Sequence, residues 1–529
     1  MYRQVCVLKN NSSQLCQLQQ LRSISQTLEK VSDENSARKQ EWEQAKPFKA
    51  IPGPTKYEFI RSFFPGGMFY KMPIYDFIYK TREMYGDLYV LSGFFGGPNT
   101  LMAFNPDDFL TVLRAEGVWP HRRGLATMKY YRTVHRKEEF GDVIGLIGSN
   151  EEDWGKLRST VNPILMQPKN AKLYLNNMLE VNDEFLQRIR EIRDPKTLEM
   201  PESFEDEINR LTFESVAVIA LNRQLGLIRK NRNDEEAKLL FESLRSFFEL
   251  SLVLDFGPSI WKYYKTKQFH QQMKNYDIQR EISTKYINEA IERIENDKTP
   301  RKDNEEKSVL EKLLKIDKKV AKVMALDLMT AGVDTTSSTL AGILLAIAKN
   351  PDKQEKLRQE ICTILPQKDS RLTIDNMKNL PYLRACIKEG MRIYPIGGGT
   401  IRTIKEDIVM SGYQIPKGQE IILSHNIMLN TEQFCPKAKE FIPERWLRSE
   451  DSKYAIMHPF LFMPFSHGPR SCVGKRIVEM ELEITVARLV RNFYIEFNYS
   501  TENAFKNRLI NVPAIPLKFK FSEVEQKFK

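Results

Sequence analysis

The segment Met324–Ala348, "MALDLMTAGVDTTSSTLAGILLAIA", limits what this chain can fold into more than any other part of it. Its apolar run is long enough to cross a bilayer, yet Asp327 and Asp334 would each cost roughly 2.5–3.5 kcal/mol at the membrane centre. A central helix buried inside the protein suits it better, with polar residues only where something polar meets them. "AGVDTT" gathers Gly332, Asp334, Thr335 and Thr336 within two turns, the pattern of a site. A Thr/Ser-rich kink with a capping aspartate is the plainer alternative.

The rest of the chain is consistent with a large unit built round that helix. The chain has 529 residues, 41% apolar and 28% charged, and no low-complexity spacer splits it, so residues 51–529 read as one catalytic domain. From Trp154 to about Lys349 the patterns are mostly helical, broken by the charge-dense loop Glu295–Ser308. Short strands such as "DLYVLSGFF" and "TLMAF" predict a small sheet, and "EDIVMSGYQIPKGQEIILSHN" predicts a hairpin around Gly412 and the turn Pro416–Gly418. The fold class is therefore mainly α with a small β region, and no internal repeat suggests a solenoid.

Residues 1–28 contain no acid, carry Arg3, Lys9 and Arg22, and place Leu8, Leu15, Leu18 and Leu21 at helical spacing. This is the composition of a mitochondrial presequence, with a disordered tail as the bland alternative; no apolar run suits a secretory signal or membrane anchor. Residues 29–50 read as a charged linker or frayed helix. The six cysteines form no CxxC or CxxC…HxxxH pattern, which suggests neither a zinc site nor a disulfide framework. Lysine plus arginine exceed aspartate plus glutamate by 80 to 69, and the resulting +11 permits an acidic partner, nucleic acid or an anionic membrane without selecting one.

One cysteine stands apart. "FMPFSHGPRSCVGKR" sets Cys472 in a Gly/Pro loop with basic residues on both sides, immediately before the helical spacing of Ile477, Met480, Ile484 and Ala487. A helix N-terminus and nearby cations favour a thiolate. Gly468 and Gly474 would let backbone approach a flat ligand, Phe465 could exclude water from the sulfur, and Arg470 could bind an anionic edge.

"FSHGPRSCVG" resembles the haem-binding signature of cytochromes P450 at Phe465, Gly468, Arg470, Cys472 and Gly474. Three ExxR pairs occur, but only Glu389/Arg392 in "EGMRIYP" is followed by Tyr-Pro and lies upstream of "FIPERW", whose Arg445 completes a structural triad resembling that family's. Glu207/Arg210 and Glu355/Arg358 read as surface ion pairs. Trp446 stands where the family motif has phenylalanine. "AGVDTT" resembles the oxygen-activating helix, which implies that Thr335 holds dioxygen by a hydroxyl hydrogen bond, Asp334 relays protons and Gly332 leaves room for oxygen.

Trp154 and Arg158 resemble the residues that bind haem propionates, and Arg402 sits where the family places a further propionate-binding cation; Trp119/Arg123 fits a loop better. "GVWPHR" and "LRSTVNPILMQPK" resemble the mitochondrial clan of animals, with the overall wording most like insect mitochondrial family 12.

The resemblance implies a cytochrome P450 fold, a haem (heme b) cofactor with an axial thiolate, and insertion of one oxygen atom into a lipophilic, foreign-compound type of substrate. Electrons would come from NADPH through a ferredoxin reductase and an adrenodoxin-like ferredoxin. Arg384 and Lys388, with Lys475 and Arg476, resemble the ferredoxin-docking cations. The location implied is the matrix side of the inner mitochondrial membrane, with peripheral membrane contact and no nucleic-acid partner.

A steroid (ecdysteroid-type) hydroxylase, a haem-thiolate isomerase or lyase, and a non-oxygenase haem-binding protein are the rivals. Phe247, Phe248, Leu252, Leu254 and Trp261 line an access channel, touch the membrane or simply fill core.

Overall fold

Lys318–Ala348 forms one unbroken helix through the middle of the protein, its first turn capped by Asp317, whose carboxylate accepts from Val320 N at 2.8 Å. This is a computed structural model, and it describes residues 36–93, 97–229, 234–297, 306–447 and 453–524; the expected presequence, 1–28, lies outside them. The two acids that argued against a membrane span have separate environments. Asp327 is buried but satisfied, accepting from Arg132 Nη2 at 2.6 Å and Leu146 N at 3.0 Å. Asp334 belongs to the site described below.

Helices Phe204–Leu221, Pro381–Ile393 and Lys475–Asn492 pack round this central helix. Two glycines permit the closest approaches: a Cβ on Gly332 would lie 2.6 Å from Val216 Cγ2, and one on Gly342 2.6 Å from Tyr394 Cβ. Gly332 is thus accounted for by packing against Phe204–Leu221, where the sequence had suggested room for oxygen.

Among the described residues, ten short strands make up the β region. They are β1 (Leu88–Leu91), β2 (Thr100–Ala103), β3 (Thr400–Thr403), β4 (Ile408–Met410), β5 (Tyr413–Ile415), β6 (Glu420–Leu423), β7 (Phe493–Glu496), β8 (Phe505–Arg508), β9 (Ile510–Pro513) and β10 (Lys520–Glu523). The largest sheet runs β1-β2-β6-β3, with β2 and β6 parallel and the outer pairings antiparallel. It covers a second apolar core built from Tyr89, Leu101, Phe104, Phe109, Ile421 and Leu423.

The hairpin β4–β5 turns at Ser411 and Gly412, both with positive φ (47° and 77°), as a two-residue turn of this hand requires. Residues 36–44 of the charged segment are helical, and Lys46 then pairs with this hairpin, donating to Gly412 O at 2.9 Å and accepting from Gln414 N at 2.8 Å.

One expectation needs correction. The spare ExxR pairs are not simple surface pairs: Glu355, its side chain 40% exposed, does accept from Arg358 Nε at 3.2 Å, but the arginine of each pair is buried. Glu207 and Arg210 are buried, with Glu207 accepting two bonds from Arg188. Arg358 is fully buried and donates to Phe493 O at 3.0 Å and to Val490 O, where the carbonyls ending a helix attract a cation.

The aromatic cluster is core. Phe247, Phe248, Leu254 and Trp261 are buried, Trp261 stacks on Phe269 with centroids 5.2 Å apart, and its indole N–H donates to Leu254 O at 2.9 Å. The exposed apolar side chains nearby are Val253, Ile260, Tyr263 and Tyr264.

Candidate active site

Glu389, on the helix Pro381–Ile393, is completely buried and surrounded by five donors. Its Oε1 accepts from Arg392 Nη2 (2.8 Å), Arg445 Nε (2.9 Å) and Ile442 N (2.9 Å); its Oε2 accepts from Arg392 Nε (3.0 Å) and Trp446 Nε1 (2.8 Å). Arg392 also reaches the carbonyls of Leu429, Ala438 and Glu440. The structure brings Glu389, Arg392 and Arg445 together, and it gives Trp446 a hydrogen bond that phenylalanine cannot make. A buried ion network satisfied to this degree fixes the segment leading to the cysteine loop.

In that loop, Cys472 N donates to Phe465 O at 2.9 Å, and the helix Lys475–Asn492 begins three residues on. Cys472 has accessible surface although dense protein surrounds it, so its sulfur faces an internal hollow rather than the outer surface. Burial pushes its thiol pKa up; the N–H groups of Gly474 and Lys475 and the charges of Arg158 and Arg122 pull the other way without prevailing. The sequence expectation of a lowered pKa therefore fails for the thiol in this structure, because desolvation outweighs the neighbouring cations.

Four arginines converge on the loop. Arg158, on the helix Glu151–Leu165, donates from Nη2 to Ser471 O at 2.8 Å, while its Nε has no partner. Arg470 lies on the face of Trp154, 3.9 Å from the ring centroid, and bonds Pro120 O, Ser149 O and Asn150 Oδ1, leaving Nη1 without a partner.

Arg402, on β3, is more fully engaged. It donates to Ile401 O, Ser466 Oγ and His467 O (2.9, 2.8 and 3.0 Å) and forms an ion pair with the buried Glu116. Gly468 takes φ +77°, and a Cβ there would come 2.5 Å from Glu116 Oε1. Its glycine character thus serves a left-handed turn and the approach of Glu116.

Arg122 is the residue the sequence reading missed. Its guanidinium meets no acceptor among the described residues. Burial, with Arg402 and Arg158 alongside, holds its pKa down to about 10; burial and the same crowding bring Arg470 to about 8. Cations packed so closely, with free donors, await anions. "GVWPHRR" offered only an extra arginine beside Arg123, which pairs instead with Glu420 at 3.0 Å. Trp119 is likewise set apart, packing on Gly155.

The central helix opens along one stripe. Ala331 is exposed and Leu328, Thr335 and Thr339 are half-buried, although nearly every other residue at this level is closed. A core helix that opens midway along its length borders an internal hollow. Thr335 Oγ1 donates to Ala331 O and Thr339 Oγ1 to Thr335 O, both at 2.7 Å, leaving the Thr335 oxygen free to accept.

Asp334 points away from the stripe. It is buried, its Oδ2 has no partner, and burial lifts its pKa to about 7, with Arg245 and Arg508 opposing and Glu205 adding to the rise. Arg245 in turn bonds Asp206 at 2.5 Å. A carboxyl group that titrates near neutrality between the hollow and a charged cluster can hold or release a proton.

The four expected docking cations share a face made by two packed helices, Pro381–Ile393 and Lys475–Asn492. Lys388 is exposed, with its Nζ 5.8 Å from the Trp446 ring centroid. Arg384 donates to Glu483 at 2.9 and 3.3 Å, and Lys475 and Arg476 both approach Glu479, at 3.8 and 3.7 Å. The face is basic but carries two of its own acids.

A flat, dianionic group with a thiolate ligand fits the residues that border the hollow. The sulfur opens inward, Arg122, Arg158 and Arg470 keep donors without partners, and the buried cations exceed the buried acid among them. The chain matches the family model for cytochrome P450 over residues 51–521. It is 51% identical over 502 residues to "Cytochrome P450 CYP12A2" of Musca domestica, covering 93% of this chain and 94% of that protein. It is 49% identical over 495 residues to "Probable cytochrome P450 12a5, mitochondrial" of Drosophila melanogaster, covering 92% of each. With "Probable cytochrome P450 12e1, mitochondrial" of the same fly it shares 47% over 488 residues, 91% of this chain and 93% of that one. A helical fold round one buried helix, a cysteine loop ringed by arginines and these full-length likenesses lead to one conclusion: the chain belongs to the cytochrome P450 family, is a haem-thiolate monooxygenase, and resembles the insect mitochondrial members of family 12.

Proposed function

We propose that this monooxygenase oxidises lipophilic foreign compounds inside mitochondria, with Cys472 as the axial ligand and electrons delivered from NADPH by a ferredoxin reductase and a ferredoxin. The observation that carries the reading is the pairing of an inward-facing cysteine before a helix with unpartnered guanidinium donors on Arg122, Arg158 and Arg470. When bound, the haem supplies activation of dioxygen, the thiolate pushing electron density that favours O–O cleavage.

The chain's own residues do the rest. Arg122, Arg158 and Arg470 would hold the propionates, with Arg402 contributing the donor left over from its other bonds, and Trp154 keeps Arg470 against the face of its ring. Phe465, Gly468 and Gly474 shape the loop round the sulfur; a Cβ on Gly474 would stand 3.9 Å from Sγ. Asp334 would take protons from the side of Arg245 and Glu205 and pass them toward the hollow, while Thr335 Oγ1, whose own proton goes to Ala331 O, would accept from a water that carries them. One oxygen atom enters a C–H bond of the substrate and the other leaves as water, consuming two electrons and two protons.

An acidic ferredoxin suits the face bearing Arg384, Lys388, Lys475 and Arg476. Peripheral attachment to the matrix side of the inner membrane is supported by two exposed aromatic segments flanked by cations. One holds Tyr57, Phe64 and Met68 with Lys56 and Arg61; the other holds Tyr263 and Tyr264 with Lys262 and Lys265.

The test is turnover of a panel of xenobiotics and sterols by the purified protein with ferredoxin, its reductase and NADPH. Ferredoxin-dependent hydroxylation of foreign compounds supports the reading. Regiospecific conversion of an ecdysteroid alone would replace the substrate assignment, and equal activity with a microsomal reductase would remove the ferredoxin.

A further inference from the structure

Glu116 has no part in any motif, yet among the described residues it is the one acid in direct contact with the arginine cluster beside the cysteine loop. It follows the helix Pro106–Ala115 and is 1% exposed. On one side it pairs with Arg402; on the other, its Oε1 lies so close to the Gly468 backbone that no side chain fits there. Arg402 is then bound to Ser466 and His467 of the same loop. Three segments distant in sequence therefore meet through one carboxylate: the end of a helix, β3 and the cysteine loop.

The charges agree with the geometry. Arg122, Arg158, Arg402 and Arg470 bring four positive charges, and Glu116 offsets one of them. The remaining three equal the charge of two propionates and one thiolate, which is the net charge of the bound group with ferrous iron; ferric iron makes that group one charge less negative. Neutralising Glu116 would leave the pocket one charge too positive and Arg402 without its anchor.

We propose that Glu116 is a positioning residue for the haem: it fixes Arg402 against the cysteine loop and sets the charge balance that the bound group meets. The proposal rests on the assignment of Cys472 and the arginines to the haem site. Because Glu116 acts through Arg402, its effect is electrostatic as well as structural, and the two separate in a mutant cycle.

The experiment measures haem retention and the haem midpoint potential in the holoprotein for Glu116→Gln, Arg402→Gln and the double variant. Glu116→Gln keeps the shape and removes the negative charge. The potential should move positive by about tenfold in the reduction equilibrium, about 59 mV for one electron. Arg402→Gln should move it negative, and the double variant should return close to wild type. Glu116→Asp, which keeps the charge but shortens the reach, should hold the wild-type potential while losing haem faster.

Equal haem loss in all three variants, with an unchanged potential in whatever haem remains, would overturn the proposal and leave Glu116 as an ordinary structural ion pair. If Glu116→Gln retains no haem, the decision passes to Glu116→Asp, where a shifted potential overturns the proposal and an unshifted one upholds it. A wild-type protein whose reduced carbon monoxide complex lacks the red-shifted Soret band would instead remove the site assignment beneath it.

Discussion

Trp446→Phe replaces the departure from the family motif with the family's own residue, and the structure says that the protein loses by it. The indole N–H donates to Glu389 Oε2 at 2.8 Å, and among the described residues the only other donor to that oxygen is Arg392 Nε at 3.0 Å. A hydrogen bond to a charged acceptor contributes about 1.5–3 kcal/mol. The lower end applies, because Arg392 stays in place and a phenyl ring keeps part of the contact with Phe462, whose centroid is 4.3 Å away. Unfolding entropy of about 2.1 cal/mol/K per residue over about 480 folded residues gives about 1 kcal/mol/K, so Tm should fall by about 1.5–2 °C. Scanning calorimetry of the holoprotein measures this. Arg392→Met, which removes one partner of a buried pair at a cost of about 3–5 kcal/mol, should fall at least twice as far. A Trp446→Phe protein with an unchanged or higher Tm would show that the indole bond contributes nothing and that the network is closed without it.

Further outcomes follow from the same geometry. Asp334 has a folded pKa of about 7 against 3.8 unfolded, so the folded state binds the extra proton and stability attributable to this group falls as pH rises from about 4 to about 7. Asp334→Asn should therefore gain up to roughly 4 kcal/mol at pH 8 relative to wild type and little at pH 4, read by denaturant titration at both pH values; a pH-independent difference would contradict the burial argument. Thr335→Ala should keep haem and oxygen binding but divert reducing equivalents to peroxide, measured as NADPH consumed per product; unchanged coupling would remove the role of the hydroxyl. Lys388→Glu should raise the KM for ferredoxin about threefold or more without altering substrate KM, and the effect should shrink with added salt. Arg384→Glu would set two acids together at Glu483, so loss of Tm should accompany its docking defect.

The parts of the site that repeat within a short stretch were legible before any coordinates. Cys472 in its loop before a helix and the choice of Glu389/Arg392 among three ExxR pairs both depend on local spacing. The parts that depend on distant segments meeting were not. Arg122 and Glu116 lie in the irregular stretch "RAEGVWPHRR", where no periodicity assigns a side chain to a face, and only packing of that stretch on β3 and the cysteine loop gives them partners. The thiol pKa failed for a related reason: sequence shows which cations are near, but not how much water has been removed. The Trp446 indole bond was hidden because an aromatic exchange looks conservative until its N–H finds Glu389.

Carbon monoxide added to the reduced holoprotein reads the axial ligand itself. With Cys472 as the thiolate, wild type gives the strongly red-shifted Soret band, Cys472→Ala loses it, and Cys472→His binds haem with an unshifted band. A Cys472→Ala protein that keeps the shifted band, or a wild-type protein that binds haem and never shows it, would contradict the assignment.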